Sequence, residues 1–340
     1  MKLDAFDYYL PENRIAQKPA AKRDQSKLLV LSKNNGTWED KIFSQITEYF
    51  NCGDVLVINE TKVIPARLFG QRATGGRVEI FLLKRLHDDV WETLVRPGKR
   101  VRVGDTISFA DPNISCAILD TTESGGRIVE FHYEGIWEER LDNVGTMPLP
   151  PYIHDYQGDM GRYQTVYANI PGSVAAPTAG LHFTPELLAT LEEKGVKIAK
   201  VNLSVGLGTF RPVEVENIED HKMHEEFYEI DSVAAATVNE AKANGGRVIS
   251  VGTTSTRVLE TVGSEKGYVE PCRGWTDAYI YPGYKYKVID GLITNFHLPK
   301  SSLLMLVSAL AGRENVLRAY EHAVNSDYRF FSFGDAMLII

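Results

Sequence analysis

The 340-residue chain is poor in cysteine and has no long apolar run. Its three cysteines, Cys52, Cys116 and Cys272, lie far apart and form no CxxC pair. That pattern excludes a disulfide scaffold and a zinc finger, and it favours a reducing, cytoplasmic setting. The most apolar stretch, 303–311, is much shorter than the ~20 residues that a membrane helix needs. We therefore expect a buried helix there and no membrane partner.

The first residues also lack the apolar segment of a signal peptide, since Asp4 and Asp7 come early. A hydrophobic fraction of 44% and a charged fraction of 24% exclude disordered and fibrous classes. The formal net charge of −8 gives no global sign of a nucleic-acid binder. No coiled-coil or other interface signal is present, so we expect a monomer.

The two ends of the chain alternate between strand and helix patterns. Short apolar runs at 27–31 and 55–59 predict buried strands, and the segment from 43 to 50 has helical spacing. After Pro151, Thr184 and Pro185 indicate the beginning of a helix that ends at Gly195. We predict further strands at 196–203, 248–251, 292–295 and 336–340, and helices at 232–243, 302–311 and 313–325.

The middle of the chain has a different pattern. Runs at 77–83, 91–95, 106–109 and 127–133 predict short strands, and glycine-containing turns separate them, which is typical of a small barrel. We therefore predict a mixed-sheet α/β domain, residues 1–65 plus 149–340, interrupted by an inserted small β-barrel domain at 66–148. A linear three-domain arrangement is less favourable, because a 65-residue opening fragment would be marginally stable alone.

Charge is distributed unevenly within this insert. Residues 60–102 contain ten Lys and Arg against five acids, whereas 103–145 contain two basic residues against nine acids. The cations Arg96, Lys99, Arg100 and Arg102 lie on one turn and the start of a strand, where they could contact phosphates. A solvated charged hairpin explains the same pattern equally well.

Several loops carry residues suited to a binding site. The small-residue segment 174–184 leads into a capped helix and would let a flat ligand approach the backbone, although a tight loop with a core His182 is the simpler explanation. Gly252 and the hydroxyls after it follow a strand and fit a carboxylate or ribose site, or an ordinary helix cap. Asn295 and His297 follow another strand and could instead fix a loop by hydrogen bonds.

The segment 221–226 concentrates two histidines and two acids, and its chemistry is the most distinctive in the chain. The HExxH pattern is absent and no third ligand is evident, so we expect no metal. Acid–base catalysis fits better, because a histidine beside a carboxylate can have a pKa near neutrality. No serine or cysteine lies in a recognisable nucleophile motif.

Taken together, these segments closely resemble the S-adenosylmethionine:tRNA ribosyltransferase-isomerase family of queuosine biosynthesis. The resemblance runs essentially from end to end. Its most specific blocks are 175–184, Gly208-Thr209-Phe210, the cluster His221/Met223/His224/Glu226, Gly252-Thr253-Thr254-Ser255, Tyr281-Pro282-Gly283, 294–300 and 328–337.

The resemblance implies an α/β domain with an inserted barrel, and it implies a reaction. The ribosyl unit of S-adenosylmethionine would be transferred to 7-aminomethyl-7-deazaguanine at the wobble position of tRNA and isomerised. Adenine and methionine would leave, and the product would be epoxyqueuosine-tRNA. S-adenosylmethionine would serve as co-substrate, with no further cofactor.

Two departures from the family pattern limit what is carried over. Ser204 stands where the family commonly has a histidine, which argues against an essential histidine at that position. Lys62 stands where the family often has arginine, and a lysine cannot make a bidentate contact to phosphate.

Within that reaction we assign three groups of candidate residues. The sulfonium acidifies the C5′ hydrogens, so a general base is needed, and we assign it to the cluster of His221, His224 and Glu226. Binding of S-adenosylmethionine is assigned to Pro177, Thr178, Ala179, Gly180, Gly208, Thr209, Thr253, Thr254, Arg257, Asn295 and His297. Within that group, 177–180 would take adenine, Thr253, Thr254 and Arg257 the methionine carboxylate, and Asn295 and His297 the ribose. Contacts to tRNA are assigned to Arg67, Arg96, Lys99, Arg100 and Arg102.

Two other readings stay open at this point. A transferase that uses S-adenosylmethionine on a free base would need no basic RNA-binding face. A non-catalytic RNA-binding barrel protein would not need the cluster at 221–226.

Overall fold

A computed structural model describes residues 1–123, 125–154, 156–206 and 213–340. The chain is a mixed α/β protein with two compact units. The first unit contains Met1–Lys62, Pro151–Ile170 and Ala176–Ile340, and the second contains Val63–Pro150 and Pro171–Ala175. No helix in the described part of the chain is long and apolar enough to cross a membrane.

The described residues form eighteen strands and six α-helices. In chain order the strands are β1 (Lys27–Leu31), β2 (Trp38–Ile42), β3 (Val55–Asn59), β4 (Thr61–Val63), β5 (Arg67–Arg72), β6 (Arg77–His87), β7 (Val90–Arg96), β8 (Thr106–Ser108), β9 (Ile114–Thr121), β10 (Arg127–Tyr133), β11 (Gly145–Thr146), β12 (Ile170–Ser173), β13 (Lys197–Leu203), β14 (Glu226–Ile230), β15 (Val248–Val251), β16 (Cys272–Thr276), β17 (Gly291–Asn295) and β18 (Ala336–Ile339). The helices are α1 (Trp137–Val144), α2 (Pro185–Glu193), α3 (Ser232–Ala243), α4 (Gly252–Val262), α5 (Ser302–Ala311) and α6 (Arg313–Asn325).

The first unit is built on a nine-stranded sheet with the order β16-β14-β13-β3-β15-β17-β18-β1-β2. Strands β13, β3, β15 and β17 are mutually parallel, whereas β14 runs antiparallel to β13 and β18 antiparallel to β17. The central strands β3, β15, β17 and β18 are buried along their whole length. This explains why they are continuous apolar runs rather than alternating ones.

One face of this sheet packs against the 3₁₀ segments Phe43–Tyr49 and Thr178–His182 and against α2. Alternate residues of the strands, such as Leu56 and Ile58 of β3, point into that core because side chains alternate across a strand. Helix α2 begins where the sequence predicted, with the Thr184 hydroxyl accepting from the Leu187 N–H at 3.1 Å.

The second unit contains a closed six-stranded antiparallel barrel, β5-β6-β7-β10-β9-β8, which the pairing of β8 with β5 completes. Strand β11 adds to the outer edge of β5, and the short helix α1 follows β10. Buried aromatic side chains pack against one another in this unit, and the rings of Phe131 on β10 and Trp137 on α1 lie 4.8 Å apart. The predicted fold class, a mixed-sheet α/β domain together with a small β-barrel, is confirmed.

Most predicted elements are found within a residue or two of their expected bounds, and α3, α5, α6 and β10 match in full. Within the predicted helical segment from 43 to 50, Phe43–Tyr49 is a 3₁₀ helix rather than an α-helix. No strand was predicted at β2, β4, β5, β9, β11, β12, β14 or β16. Strands β2 and β16 carry mostly exposed or polar residues, and β4, β11 and β12 have only two to four residues.

Candidate active site

Polar side chains collect where the parallel strands of the first unit end. Asn59 closes β3 and Asn295 closes β17, while β15 leads directly into α4 at Gly252. Glu226 lies at the same edge, because it begins β14, which runs antiparallel to β13. We call this the carboxyl edge of the sheet. Open α/β sheets characteristically bind their ligands at such an edge.

Glu226 and Arg257 form a buried ion pair at this edge. Their side chains are each 5% exposed, and Nη1 of Arg257 contacts Oε2 of Glu226. The other Glu226 oxygen accepts from the Gly206 N–H at 2.9 Å. The Arg257 guanidinium also donates to the carbonyls of Ala278, at 3.0 Å, and Thr276, at 3.3 Å. Protein groups therefore balance the charge of Arg257 and hold it in place.

The two predicted histidines of the same cluster differ in environment. His221 is half-buried, and its ring lies 5.2 Å from that of Tyr279 in an edge-on contact. Burial lowers the pKa of His221, and the nearby charge of His224 lowers it further. His221 therefore stays neutral at neutral pH and can accept a proton. His224 is exposed.

A second polar network runs from Asn295 into the protein. Thr178 Oγ1 donates to Asn295 Oδ1 at 2.9 Å, and Asn295 Nδ2 lies 3.1 Å from His182 Nε2. An amide NH₂ can only donate, so Nε2 is the acceptor and the proton of His182 is on Nδ1. Nδ1 in turn donates to Ser26 Oγ at 2.7 Å, and Ser26 Oγ donates to the Arg23 carbonyl at 3.4 Å.

This network fixes the state of His182. The ring is fully buried and stacks on Phe43 at 5.0 Å. Burial, with the charges of Arg329 and Arg23, lowers the pKa of His182 to about 3. His182 is therefore a neutral imidazole with one defined tautomer, and it orients the Asn295 amide at the carboxyl edge.

His297 lies next to this network but has its own partners. Its Nε2 is 2.8 Å from Thr294 Oγ1, and its backbone N–H donates to the Tyr320 hydroxyl at 3.1 Å. Burial lowers the pKa of His297 to about 3. Its imidazole is thus neutral as well.

The small-residue loop 177–180 meets the beginning of α4. Gly252 has a φ of +82°, and a Cβ added there would lie 3.7 Å from the Ala179 Cβ. A Cβ on Gly180 would lie only 2.0 Å from the Tyr167 hydroxyl, so this position requires glycine. Thr253 is buried, and the Thr254 hydroxyl has no hydrogen-bond partner within the described part of the chain. The structure thus brings the predicted adenine and carboxylate segments together.

Two predicted binding residues, Gly208 and Thr209, lie outside the described residues. Among the residues that are described, no group of three or more His, Cys, Asp or Glu could hold a metal ion.

The predicted RNA-contacting cations of the second unit lie on the turn between β7 and β8. Arg96, Lys99, Arg100 and Arg102 are exposed. Within the described ranges, no carboxylate lies within 4 Å of their charged groups. Arg67, by contrast, is paired with Glu79 at 3.2 Å on the barrel wall.

Arg127 of β10 fixes the shape of this turn. Its guanidinium donates to the carbonyls of Gly98, at 2.8 Å, and Val101, at 3.0 and 3.1 Å. Three hydrogen bonds thus tie the turn to Arg127, and two further bonds, to the Gly125 and Gly126 carbonyls, fix the guanidinium within its own hairpin. Arg72 adds a bond to the Arg100 carbonyl at 2.9 Å. The exposed cations therefore project from a fixed backbone.

Sequence reasoning did not select Ser26, His182 and Arg127 as site residues. His182 was visible within its motif, but a buried histidine is more often a core residue. Ser26 is 156 positions from its partner His182, and no local pattern links the two.

The fold and this edge define an α/β enzyme whose polar groups converge at the end of a mixed sheet, with an accompanying β-barrel. The chain belongs to the queuosine biosynthesis protein family, whose model matches residues 3–339.

Several relatives carry a more detailed name. Proteins named S-adenosylmethionine:tRNA ribosyltransferase-isomerase from Caldanaerobacter subterraneus subsp. tengcongensis and from Acetivibrio thermocellus are each 58% identical to the chain, over the full length of both partners. The crystal structure of S-adenosylmethionine tRNA ribosyltransferase from Thermotoga maritima is similar at 40% identity, with a TM-score of 0.58. That likeness covers 99% of this chain and 100% of the other. The chain is thus an enzyme of a tRNA-modifying family.

Proposed function

We propose that this enzyme transfers the ribosyl moiety of S-adenosylmethionine to 7-aminomethyl-7-deazaguanine at the tRNA wobble position and isomerises it. The product is epoxyqueuosine-tRNA, and adenine and methionine are released. S-adenosylmethionine is consumed as co-substrate, and the proposal includes no resident metal or further cofactor. We place this chemistry in the discontinuous α/β domain and the RNA phosphate contacts in the inserted barrel.

One observation carries the proposal. The Glu226–Arg257 pair and the Thr178–Asn295–His182 network lie at the carboxyl edge of one sheet in an enzyme of this family. The first supplies ionisable groups and the second fixed hydrogen-bonding groups, which a reaction on a nucleoside sulfonium needs.

The cluster of His221, His224 and Glu226 supplies the general base that removes a C5′ proton. Neutral His221 beside Tyr279 is in the right protonation state, and the Glu226 carboxylate is held by Arg257 and by the Gly206 N–H. The nucleophile is the aminomethyl nitrogen of the RNA base, so the protein needs none of its own. Asn295, oriented by His182, is placed to bind ribose hydroxyls.

The reaction is tested by incubating the protein with S-adenosylmethionine and tRNA that carries the aminomethyl base. Adenine release that requires the tRNA supports the proposal. Release with the free base alone would identify a small-molecule transferase instead. No release under either condition would contradict the proposed activity and favour a binding role.

The general base is tested by two substitutions in the same assay. His224→Ala and Glu226→Gln should each lower turnover by ~10²-fold or more if the group removed is the base. Glu229→Gln on the same strand and His154→Ala on an exposed loop are matched controls that should retain turnover. Unchanged turnover in both test variants would exclude His224 and Glu226 as the base and leave only His221 of the cluster.

A further inference from the structure

A pocket of the first unit lies beside the beginning of β1, next to the segment that leads into β18. Its lining includes Arg23, Ser26, Arg162, His182, Ser332 and Phe333. Four of these side chains, those of Ser26, His182, Ser332 and Phe333, belong to residues that are no more than 5% exposed. The pocket therefore has a fixed, largely buried wall with two arginines on it.

Both arginines are held by backbone carbonyls. Arg23 donates to the carbonyls of Leu181 and Gly161, each at 3.1 Å. Arg162 donates to the carbonyls of Ala21, at 3.2 Å, and Ala20, at 2.7 Å. A guanidinium has five N–H donors, so these contacts fix its plane and leave donors for a ligand.

Neither arginine has an ion-pair partner among the residues that the structure describes. Within the described ranges, no carboxylate lies within salt-bridge distance of either guanidinium, in contrast to Arg257 with Glu226. Burial lowers the pKa of Arg23, and the charge of Arg162 lowers it further, with only partial compensation by Asp159. The pocket thus has an excess of positive charge and favours an anionic group.

The pocket is connected to the carboxyl edge through His182. One nitrogen of His182 contacts Ser26 in the pocket wall, and the other contacts Asn295 at the end of β17. The pocket wall is therefore separated by one buried side chain from Asn295, which the proposed function assigns to the ribose of S-adenosylmethionine.

We propose that the Arg23–Arg162 pocket binds the α-carboxylate of the methionyl group of S-adenosylmethionine. This inference rests on the proposed function and specifies where one end of its co-substrate lies. Arginine forks match carboxylate geometry with two parallel hydrogen bonds. The sequence suggested Arg257 as the cation for the methionyl carboxylate. The charge of Arg257 is already neutralised by Glu226, and Arg257 instead acts as a positioning residue for the Glu226 carboxylate.

A terminal carboxylate fits this pocket better than an RNA phosphate does. An internal phosphodiester carries a ribose on each side and cannot enter a pocket with buried walls without bringing both riboses with it. The methionyl carboxylate is at the end of a flexible chain and can enter alone. The exposed cations of the second unit are better suited to the RNA backbone.

The test compares S-adenosylmethionine with its decarboxylated analogue by calorimetric titration of the full chain. Because charge-assisted hydrogen bonds are strong, the wild-type protein should bind S-adenosylmethionine about 10- to 100-fold more tightly than the analogue. Arg23→Met and Arg162→Met should bring the two affinities to within about threefold of each other, since the group that distinguishes the ligands is lost. Arg318→Met, an arginine of α6 away from the pocket, is the matched control and should keep the wild-type ratio.

Both arginines donate to backbone carbonyls, so replacing them could disturb folding. A second kind of variant distinguishes a loss of ligand binding from a folding defect. Ala20→Glu leaves both guanidiniums in place and adds a competing carboxylate to the pocket lining. It should abolish the preference for S-adenosylmethionine while the thermal unfolding midpoint stays near the wild-type value.

The possible outcomes separate this inference from the function on which it rests. A preserved preference in the folded variants would overturn the inference, and so would a loss of tRNA affinity with an unchanged ligand ratio. A wild-type enzyme that releases adenine but binds both ligands equally would also overturn it, although the proposed function would stand. A wild-type protein that neither binds S-adenosylmethionine nor releases adenine would overturn both.

Discussion

At the scale of single residues, the carboxyl edge contains two kinds of buried polar group, one kind charged and paired and the other neutral. Glu226 and Arg257 are charged and paired in a buried position. His182 and His297 are buried as neutral rings because desolvation penalises their charged forms. The edge can therefore present a fixed carboxylate and fixed hydrogen bonds without leaving a charge unpaired in the interior.

The ion pair leads to a prediction about stability. Arg257→Met leaves the Glu226 carboxylate buried without its partner, and this should lower the free energy of unfolding by about 3–5 kcal/mol. In Glu226→Gln/Arg257→Met the charge is removed from both sides, so the loss should be clearly smaller than the sum of the single losses. Urea denaturation monitored by circular dichroism measures all three variants.

Arg318→Met, at an exposed position of α6, is the control for this experiment and should change stability by no more than ~0.5 kcal/mol. Additive losses in the double variant would show that the two side chains contribute independently, contrary to the contact seen in the structure.

At the scale of elements, the sequence predicted the buried strands of the large sheet and most of the helices, but it did not indicate which segments contact one another. The buried strands β3, β15 and β17 are apolar runs, and helix α2 has its cap and N1 proline, so each could be recognised locally. Asn295 and Glu226 were selected from motifs. The Thr178–Asn295–His182–Ser26 chain was not predicted, because its members come from three distant segments that meet only through the order of strands in the sheet.

The turn between β7 and β8 shows the same limit. Its four cations could be read from the sequence, whereas the arginine that holds their backbone lies on another strand. Arg127 and the turn belong to different hairpins, so no local sequence pattern links them. The predicted division of the chain into residues 1–65 plus 149–340 and an insert at 66–148 stays a prediction.

Arg127 gives a prediction at this scale. Arg127→Met removes three hydrogen bonds from the turn and should let Arg96, Lys99, Arg100 and Arg102 move relative to one another. Neutralising one direct phosphate contact changes the salt slope of RNA binding by about one unit. Loss of Arg127 should reduce the slope by more than that, because several contacts weaken together. Binding of tRNA measured over a series of KCl concentrations gives the slope.

Two comparisons make this result specific. Arg100→Met removes a single exposed cation and should reduce the slope by about one unit. Arg85→Met lies further along β6, away from the turn, and should leave the slope unchanged. A slope for Arg127→Met equal to that of Arg85→Met would mean that the turn keeps its shape without Arg127, or that it does not contact RNA.

At the scale of the whole molecule, a net charge of −8 conceals separate regions with different charge. The cationic turn belongs to the second unit, and the pocket with Arg23 and Arg162 belongs to the first. A global charge therefore says little about an enzyme that is proposed to bind both an RNA and a small zwitterionic co-substrate. The sum over the chain averages sites that act on different ligands.

The two buried histidines make the stability of the whole fold depend on pH. Each has a pKa of about 3 in the folded state, against about 6.5 in an unfolded chain. Between these values the unfolded chain binds a proton at each histidine and the folded chain does not, so acidification favours unfolding. The free energy of unfolding should rise with pH up to about 6.5, and between pH 4.5 and 6 each histidine should contribute about 1.4 kcal/mol per pH unit to that slope.

His182→Gln and His297→Gln should each reduce the slope by about this amount, whereas His154→Gln, on an exposed loop, should not. Guanidinium denaturation at several pH values measures these slopes, and equal slopes in the wild type and both variants would show that neither ring is held neutral by the fold.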